Sequence, residues 1–560
     1  MRLLPPNLHS VLRTRLRYWR DSRLLASTPL FDADWYRATY KDVAAAGADP
    51  RRHYLLYGAA EGRNPGPLFE TRFYLDHYMD VAASGINPLI HFVRSGQAEG
   101  RAGWRAAAET AVGIAGAPRH AAVRYIPLKP EQFRRLLSNR VTATAVERLQ
   151  RFPAFHTGDY LTLNPDVRDH AETPHFHAVF VGSCQGRQVF RREHLAKIIG
   201  ERLSRSEPQV MSAPDTLDVT HLAALVARTP RIGVYASSRG NVFMQEIAED
   251  VAANLRNVGV AAEAHDEFAD VDSRPPICIF VAPHEFFVQG RGQRWIRSDV
   301  IASSFMFNTE QVQTTWFVQS LPFILASRGI IDLSAQMIDL FREASIPSLH
   351  FTMGSRLAEL SLTEQDRQHP LYRVLPQAAR QKPDIGQPIA QRPIDLAFFG
   401  SESPHREEFF VRHARFLADY KTFIHYRRLD RGPLQTDTDA GSLTRLAEHV
   451  SGHAKLTLNL HRDEFGYFEW HRLVRLGMGT GSVVISEPCL PHPAFKPGVH
   501  YVEAAARHMP DAIEWLLRSD EGRRHAETIQ RNAAELLAGE FDAPHIATRL
   551  LTFLLDNVGT

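Results

Sequence analysis

Residues 458–488 read Leu-Asn-Leu-His-Arg-Asp-Glu-Phe-Gly-Tyr-Phe-Glu-Trp-His-Arg-Leu-Val-Arg-Leu-Gly-Met-Gly-Thr-Gly-Ser-Val-Val-Ile-Ser-Glu-Pro. A strand ends in Asn459 and His461, a glycine turn opens a helix carrying Glu469 and Arg472, and an apolar strand ends in Ser486-Glu487-Pro488. Strand, helix and strand in that order make a parallel α/β layer, in which ligands bind beyond the carboxyl ends of the strands. Arg472, in the first turns of its helix, can neutralise a pyrophosphate at the helix N-terminus. A carboxylate such as Glu469 or Glu487 can accept two hydroxyl hydrogens from a ribose or hexose. The plainer reading is a helix braced by a Glu469–Arg472 pair at i,i+3 spacing.

The same grammar extends in both directions. Ile394–Phe399 is a strand, Gly400-Ser401 opens the turn to Pro404, and a helix runs from His405 to Asp419. Strands at 422–425, 456–460 and 483–486 follow, with closing helices at 509–517, 521–537 and 544–556. Upstream, residues 231–236 form a strand, Ser237–Asn241 a polar turn and 242–257 a helix, with further strands at 277–282, 305–307 and 348–351. A proline-rich linker at 376–393 divides the whole into an N-terminal Rossmann-like lobe, 231–375, and a C-terminal one, 394–560. His284 and Glu285 follow one buried strand and Glu310 follows the next, so these three are the candidates for a general base acting on an acceptor hydroxyl. For each alone a surface or capping role competes. The Ser237–Asn241 loop, at a helix N-terminus, can take phosphate or acceptor.

Three short motifs are set aside. Asp270-Val-Asp272 and Asp437-Thr-Asp439 fit a metal-binding pattern but lie in polar loops with no preceding strand. Gly477-Met-Gly-Thr-Gly481 follows a helix and precedes a strand, the reverse of a dinucleotide loop.

The N-terminal third is built from repeats. Phe31, Tyr36, Asp42, Val43, Gly47, Pro50, His53, Gly58, Glu61, Gly62 and Arg63 recur at an offset of 38 as Phe69, Tyr74, Asp80, Val81, Gly85, Pro88, His91, Gly96, Glu99, Gly100 and Arg101. A third copy, 155–187, follows an insert, 102–151, and keeps Phe155, Tyr160, Asp166, Val167, Pro174, His177, Gly182, Gln185, Gly186 and Arg187 at the spacing of the first. Each unit reads as two short helices, one near 34–46 stopping at Gly47 and one starting at Pro50 and stopping at Gly58. Repeated polar residues at fixed spacing brace the repeat; a sugar platform is the competing reading. The expected all-α module spans 29–190, with a charged helical linker at 191–230.

At about 100–200 residues per domain, 560 residues hold three or four domains. The formal charge of +2 argues against a nucleic-acid coat. Three scattered cysteines, Cys184, Cys278 and Cys489, build neither a disulfide framework nor a cysteine zinc site and suit a reducing cytoplasm. The first 24 residues carry six arginines against one aspartate, a basic arm (1–28) that can rest on the inner face of a membrane or simply be solvated.

The repeat pattern resembles the Tyr/Asp-Val/Gly-Arg repeats that accompany bacterial glycosyltransferases of surface polysaccharide and glycoprotein systems. Phe468-Glu469…Arg472, the glycine-rich turn, Val483–Glu487 and Pro497-Gly-Val-His-Tyr501 resemble the C-terminal, nucleotide-sugar lobe of the GT-B glycosyltransferases of group 1 type. The resemblance covers about 231–556 and implies transfer of a sugar from a UDP-, GDP- or dTDP-linked donor to a glycan, lipid-linked glycan or protein. No further cofactor, obligatory metal or nucleic acid is expected. Donor binding then falls on Gly400, Ser401, Asn459, His461, Glu469, Arg472 and Glu487, and acceptor chemistry on the N-terminal lobe. One departure stands out: the second glutamate of the paired pattern in many retaining members would fall at position 477, which is Gly. A non-catalytic scaffold on the same fold is therefore the alternative, and a nucleotide-sugar epimerase a third reading.

Overall fold

The computed structural model of the chain describes residues 21–28, 30–78, 81, 86–96, 103, 133, 136–169, 172–203, 217–238, 240–288, 290–353, 361–427, 439–463 and 465–558. They fall into two units, the first two repeat copies in one and everything from Leu128 onward in the other. Residues 1–20 of the basic arm (1–28), the second copy's Asp80, Gly85, Glu99, Gly100 and Arg101, and Asp437 lie outside the described residues.

The second unit holds two all-parallel sheets. The first orders its strands β2-β1-β3-β4-β5-β6: β1 Ile232–Tyr235, β2 Ala262–His265, β3 Ile277–Val281, β4 Phe305–Asn308, β5 Gly329–Asp332 and β6 Ser348–His350. The second orders β11-β10-β9-β7-β8: β7 Ile394–Ser401, β8 Thr422–Arg427, β9 Ala454–Asn459, β10 Val483–Ser486 and β11 Val502–Glu503. Two Rossmann-like lobes follow from these crossovers. Strands β2, β5 and β11 escape a reading by apolar runs: β2 alternates Ala-Glu-Ala-His at an edge, and β11 is two residues long.

Two stretches sit elsewhere than expected. The last helix, Ala543–Val558, belongs to the first lobe rather than the second: Ile546, Leu550, Leu551 and Leu554 share a core with Ile232, Val251 and Leu255. The preceding helix, Asp520–Glu540, makes the crossing, with Ile529 in the core of the second sheet and Ala533 in that of the first. The expected linker at 376–393 is a strap folded onto the second lobe. Its Ala379 and Ile389 are buried, and buried Arg392 donates to the carbonyls of Ala454, Thr480 and Ile385. The lobes are tied by buried Arg475, which pairs with Glu448 and, across the lobes, with Glu246 and Asp250 at 3.2 Å each. Trp470 also crosses, donating Nε1–H to the Met353 carbonyl at 2.9 Å.

The repeats share one brace. Tyr36 and His53, Tyr74 and His91, and Tyr160 and His177 each share a hydrogen bond, at 3.1, 3.0 and 2.8 Å. Each tyrosine hydroxyl passes over the repeat's glycine, where a Cβ on Gly58, Gly96 or Gly182 would come within 2.1, 2.2 or 2.5 Å of it. Arg63 and Arg187 bind Asp42 and Asp166. The conserved spacing is therefore structural in these copies. In the first copy the expected single helix breaks at Tyr40 into Ala33–Thr39 and Lys41–Ala45.

The expected 29–190 module is divided between the two units. The third copy packs on the first lobe, with Phe152 and Phe190 against Phe317, and Arg148 of helix Asn139–Arg151 donates to the Leu325 and Ser327 carbonyls. Part of the expected 191–230 linker joins that lobe too, through Leu222 and Leu225 of helix Val219–Arg228.

Candidate functional site

The C-terminal ends of β7, β9 and β10 surround a cleft of about 450 Å³ lined by His405, His461, Asp463, Gly466, Glu487 and Cys489, among others. Strand β9 delivers buried Asn459, whose Oδ1 accepts from Arg472 Nε at 2.8 Å and whose Nδ2 donates to Ser486 Oγ at 2.9 Å. Asn459 thus orients Arg472. The Glu487 carboxylate accepts from the His461 amide at 2.7 Å through one oxygen and lies 2.7 Å from His405 Nε2 through the other. Burial alone would push the His461 imidazole down; the Cys489 sulfur, the Pro488 carbonyl and Glu487 outweigh it and hold it up. Glu469 is paired with Arg472, and its other oxygen lies 3.8 Å from His461 Nδ1 and 3.9 Å from Arg406. The helix follows Glu469 rather than containing it: a wide π-type turn spans His471–Gly477, and the Glu469 carbonyl accepts from the Arg472 and Leu473 amides.

Gly400 and Ser401 close β7. The Ser401 carbonyl and hydroxyl accept from Arg406 at 2.9 and 3.3 Å, and Arg406 Nε donates to the Leu460 carbonyl. Arg406 enters because Ser403 caps the helix Pro404–Leu417 and turns the third residue after it inward. Burial, and then the neighbouring Arg462, push its guanidinium down to about 10. Burial, then Arg406 and Arg462, push Arg472 well below its ordinary value. Three guanidinium groups thus gather at these strand ends, Arg472 paired with Glu469 and Arg406 tied to the Ser401 and Leu460 carbonyls.

On the first lobe the three expected residues come together. His284 Nε2 lies 3.9 Å from Glu285 Oε1 and 4.0 Å from Glu310 Oε1, with its Nδ1 3.3 Å from Ser320 Oγ. All three side chains follow strands β3 and β4, and Ala282 at the turn adopts a positive φ of 48°. Burial pushes Glu285 up to about 8, against one backbone bond from Asn241 and with help from Glu310. Glu310 rises to about 7 by burial, opposed by the Thr314 hydroxyl and by Arg462. His284 falls to about 3 by burial, so its imidazole is neutral at pH 7. Glu310 is the more open of the acids, with 19% of its side chain exposed against 9% for Glu285.

The Ser237–Asn241 loop is not an open anion cradle. Glu285 takes the Asn241 amide at 2.8 Å, and Glu267 takes the Ser238 amide and hydroxyl at 2.7 Å each. Gly240 is required there because a Cβ would stand 2.1 Å from Glu285 Oε2. Asp270 and Asp272 serve the fold, the first accepting from Ser273 and the second from Arg297.

Sequence reasoning missed Arg406, His405, Arg462, Asp463 and Asp332. Asp332, at the end of β5, accepts from Asn308 at 2.7 Å and is pushed by burial up to about 7. The Ser403-Pro404 cap was the available signal for His405 and Arg406. Asp463, which lines the cleft, receives Gln313 from the first lobe at 3.5 Å.

No protein-family model matches the chain, and no curated protein matches it. Among solved structures it is similar to Anabaena HepE in complex with UDP and glucose, at 11% identity over 59% of this chain and 100% of that one, TM-score 0.36. It is similar to the alpha-glucosyltransferase AGT in complex with UDP, at 8% identity over 58% and 100%, TM-score 0.37. Sucrose-phosphate synthase from Thermosynechococcus elongatus gives 13% identity over 57% and 97%, TM-score 0.34.

Proposed function

We propose that the chain transfers a sugar from a nucleotide-sugar donor to a hydroxyl of a glycan, lipid-linked glycan or protein. The observation that carries this reading is the gathering of Arg406, Arg462 and Arg472 at the strand ends of the second lobe, with Arg472 held by Asn459 and Arg462 near enough to act on Glu310 of the first. In this reading the donor diphosphate lies on the second lobe, where the arginines neutralise the charge that grows as the sugar leaves. Glu487, already ordered by His405 and His461, accepts hydroxyl hydrogens of the donor. Glu310 takes the acceptor proton; a base near pKa 7 is matched to that task. His284 and Glu285 stand behind it.

The donor is UDP-, GDP- or dTDP-linked, and the repeats present the acceptor or a partner. Bacterial surface polysaccharide or glycoprotein assembly on the cytoplasmic side of the membrane, with the basic arm on its surface, is the setting that fits. Among the described residues no helix is long and apolar enough to cross a membrane.

The non-catalytic scaffold keeps one observation in its favour: Glu469 is engaged by Arg472 and position 477 is Gly. A panel of nucleotide sugars read by thermal shift, followed by release of free nucleotide, separates the readings. A donor at 100 times its Kd stabilises the folded chain by about 2.7 kcal/mol. Stabilisation by one donor family with nucleotide release supports transfer; binding without release supports the scaffold; no stabilisation by any donor overturns the site.

A further inference from the structure

A second cluster of metal-ligating side chains lies on the third repeat copy, among residues the transfer reading does not use. His156, Asp159 and His194 each offer one ligand atom, and the three atoms lie within 4.8 Å of one another. His156 caps the helix Thr157–Leu163 without a side-chain hydrogen bond to it, and Asp159 stands in that helix's first turn. His194 comes from the helix Arg192–Lys197, 38 residues further along the chain. The two imidazole rings are 4.0 Å apart between centroids, and His156 Nδ1 is 3.7 Å from Asp159 Oδ2.

These ligand types are particular to the third copy. The position of His156 is Asp32 in the first copy and Glu70 in the second, and that of Asp159 is Trp35 and Phe73. In the first copy Asp32 caps its helix and Trp35 packs on Tyr40, where the third copy carries metal-ligating atoms at both positions. Arg191 competes for the aspartate, its guanidinium lying 3.3 Å from Asp159 Oδ1 and 3.2 Å from Glu193 Oε2. Glu193 therefore retains Arg191 if a metal takes the aspartate. The His156 side chain is 57% exposed and that of Asp159 21%, so an ion has access and the donors can close on it by rotamer changes.

We propose that His156, Asp159 and His194 bind a divalent transition cation of the zinc, cobalt or nickel class, with water in the remaining position. Two imidazoles with one carboxylate suit such borderline ions better than calcium or magnesium, which prefer all-oxygen sites. The ion would clip the start of the third copy to the helix that follows it. That same helix carries Arg192, whose guanidinium lies over the Phe465 ring at 5.0 Å and 3.8 Å from Asp463 beside the cleft.

The test is calorimetric titration of zinc chloride and nickel chloride into the untagged full chain and its His156→Ala, His194→Ala and Arg191→Ala variants, with circular dichroism to verify folding. The expected result is one site in the parent chain, weakened at least about tenfold in each histidine variant. Arg191→Ala should tighten it roughly threefold or more, because a competing cation is removed. Zinc and nickel uptake that is undetectable in the parent chain, or unchanged in both histidine variants, overturns the proposal. Nucleotide-sugar binding does not enter this readout, so the site stands or falls separately from the transfer reading.

Discussion

Four glutamates lie at or just beyond the strand ends, two on each lobe, and they are held in opposite ways. On the second lobe, Glu487 meets a backbone amide and His405, and Glu469 meets Arg472 with Arg406 nearby. On the first, Glu285 receives one backbone amide and Glu310 one hydroxyl at 3.3 Å, and burial drives both upward. Donors gather on the second-lobe carboxylates, whereas on the first lobe burial outweighs the few bonds the acids accept. In the proposed reading, two lobes of like topology divide the labour by what surrounds their strand ends.

Breaking the first side should give the largest effect. Glu310→Gln is expected to lower kcat by about 10²–10⁴-fold while leaving donor affinity unchanged, as steady-state kinetics with a saturating acceptor would show. Breaking the second side comes next. Arg472→Ala should weaken donor binding by roughly 100-fold, and Arg472→Lys should not restore it, since a lysine cannot reproduce a planar guanidinium held between Asn459 and Glu469. Equal affinity in parent and Ala variant would erase the contrast between the lobes.

A third prediction concerns pH. Glu285 rises from 4.5 to about 8 on folding, so between those values the folded chain holds a proton that the unfolded chain has released. Stability from this group is full below pH 4.5 and declines as pH rises through 8. Glu285→Gln removes the titration, so its melting temperature should gain on that of the parent chain between pH 5 and 8. Parallel curves across that window would contradict the burial argument. The smallest effects fall on the repeats. Gly58→Ala and Gly182→Ala should each cost about 1–3 kcal/mol by driving a Cβ into the Tyr36 or Tyr160 hydroxyl. Only the second belongs to the unit that holds the cleft, so only it should move the unfolding of the donor-binding body.

Much of this was legible in the sequence because parallel strands advertise themselves. The run at 277–282 is apolar throughout and that at 394–399 is broken only by Asp395, and a polar residue at the end of such a run marks the ligand edge. The repeat was legible because Tyr, His and Gly recur at a spacing that one hydrogen bond and one close approach impose. What escaped was long-range. The Ser403-Pro404 cap announces a helix start, but nothing local says that Arg406 reaches as far as the Leu460 carbonyl, 54 residues away. Nothing local says that the last helix, amphipathic like its neighbours, returns to the first lobe, where helices 219–228 and 242–257 leave an apolar face for it. The glycine loop Ser237–Asn241 misled for a related reason: its amides were promised to Glu267 and Glu285, which lie 29 and 44 residues from their partners.

One measurement bears most directly on the division of labour between the lobes. UDP, GDP and dTDP are titrated by calorimetry into the parent chain, Glu310→Gln, Arg472→Ala and Arg462→Ala, the last being an exposed residue whose loss leaves the core intact. The account predicts that one of the three nucleotides binds the parent chain and Glu310→Gln alike, and binds both arginine variants at least about tenfold more weakly. Binding of none of the three, or the same affinity in all four proteins, would contradict it.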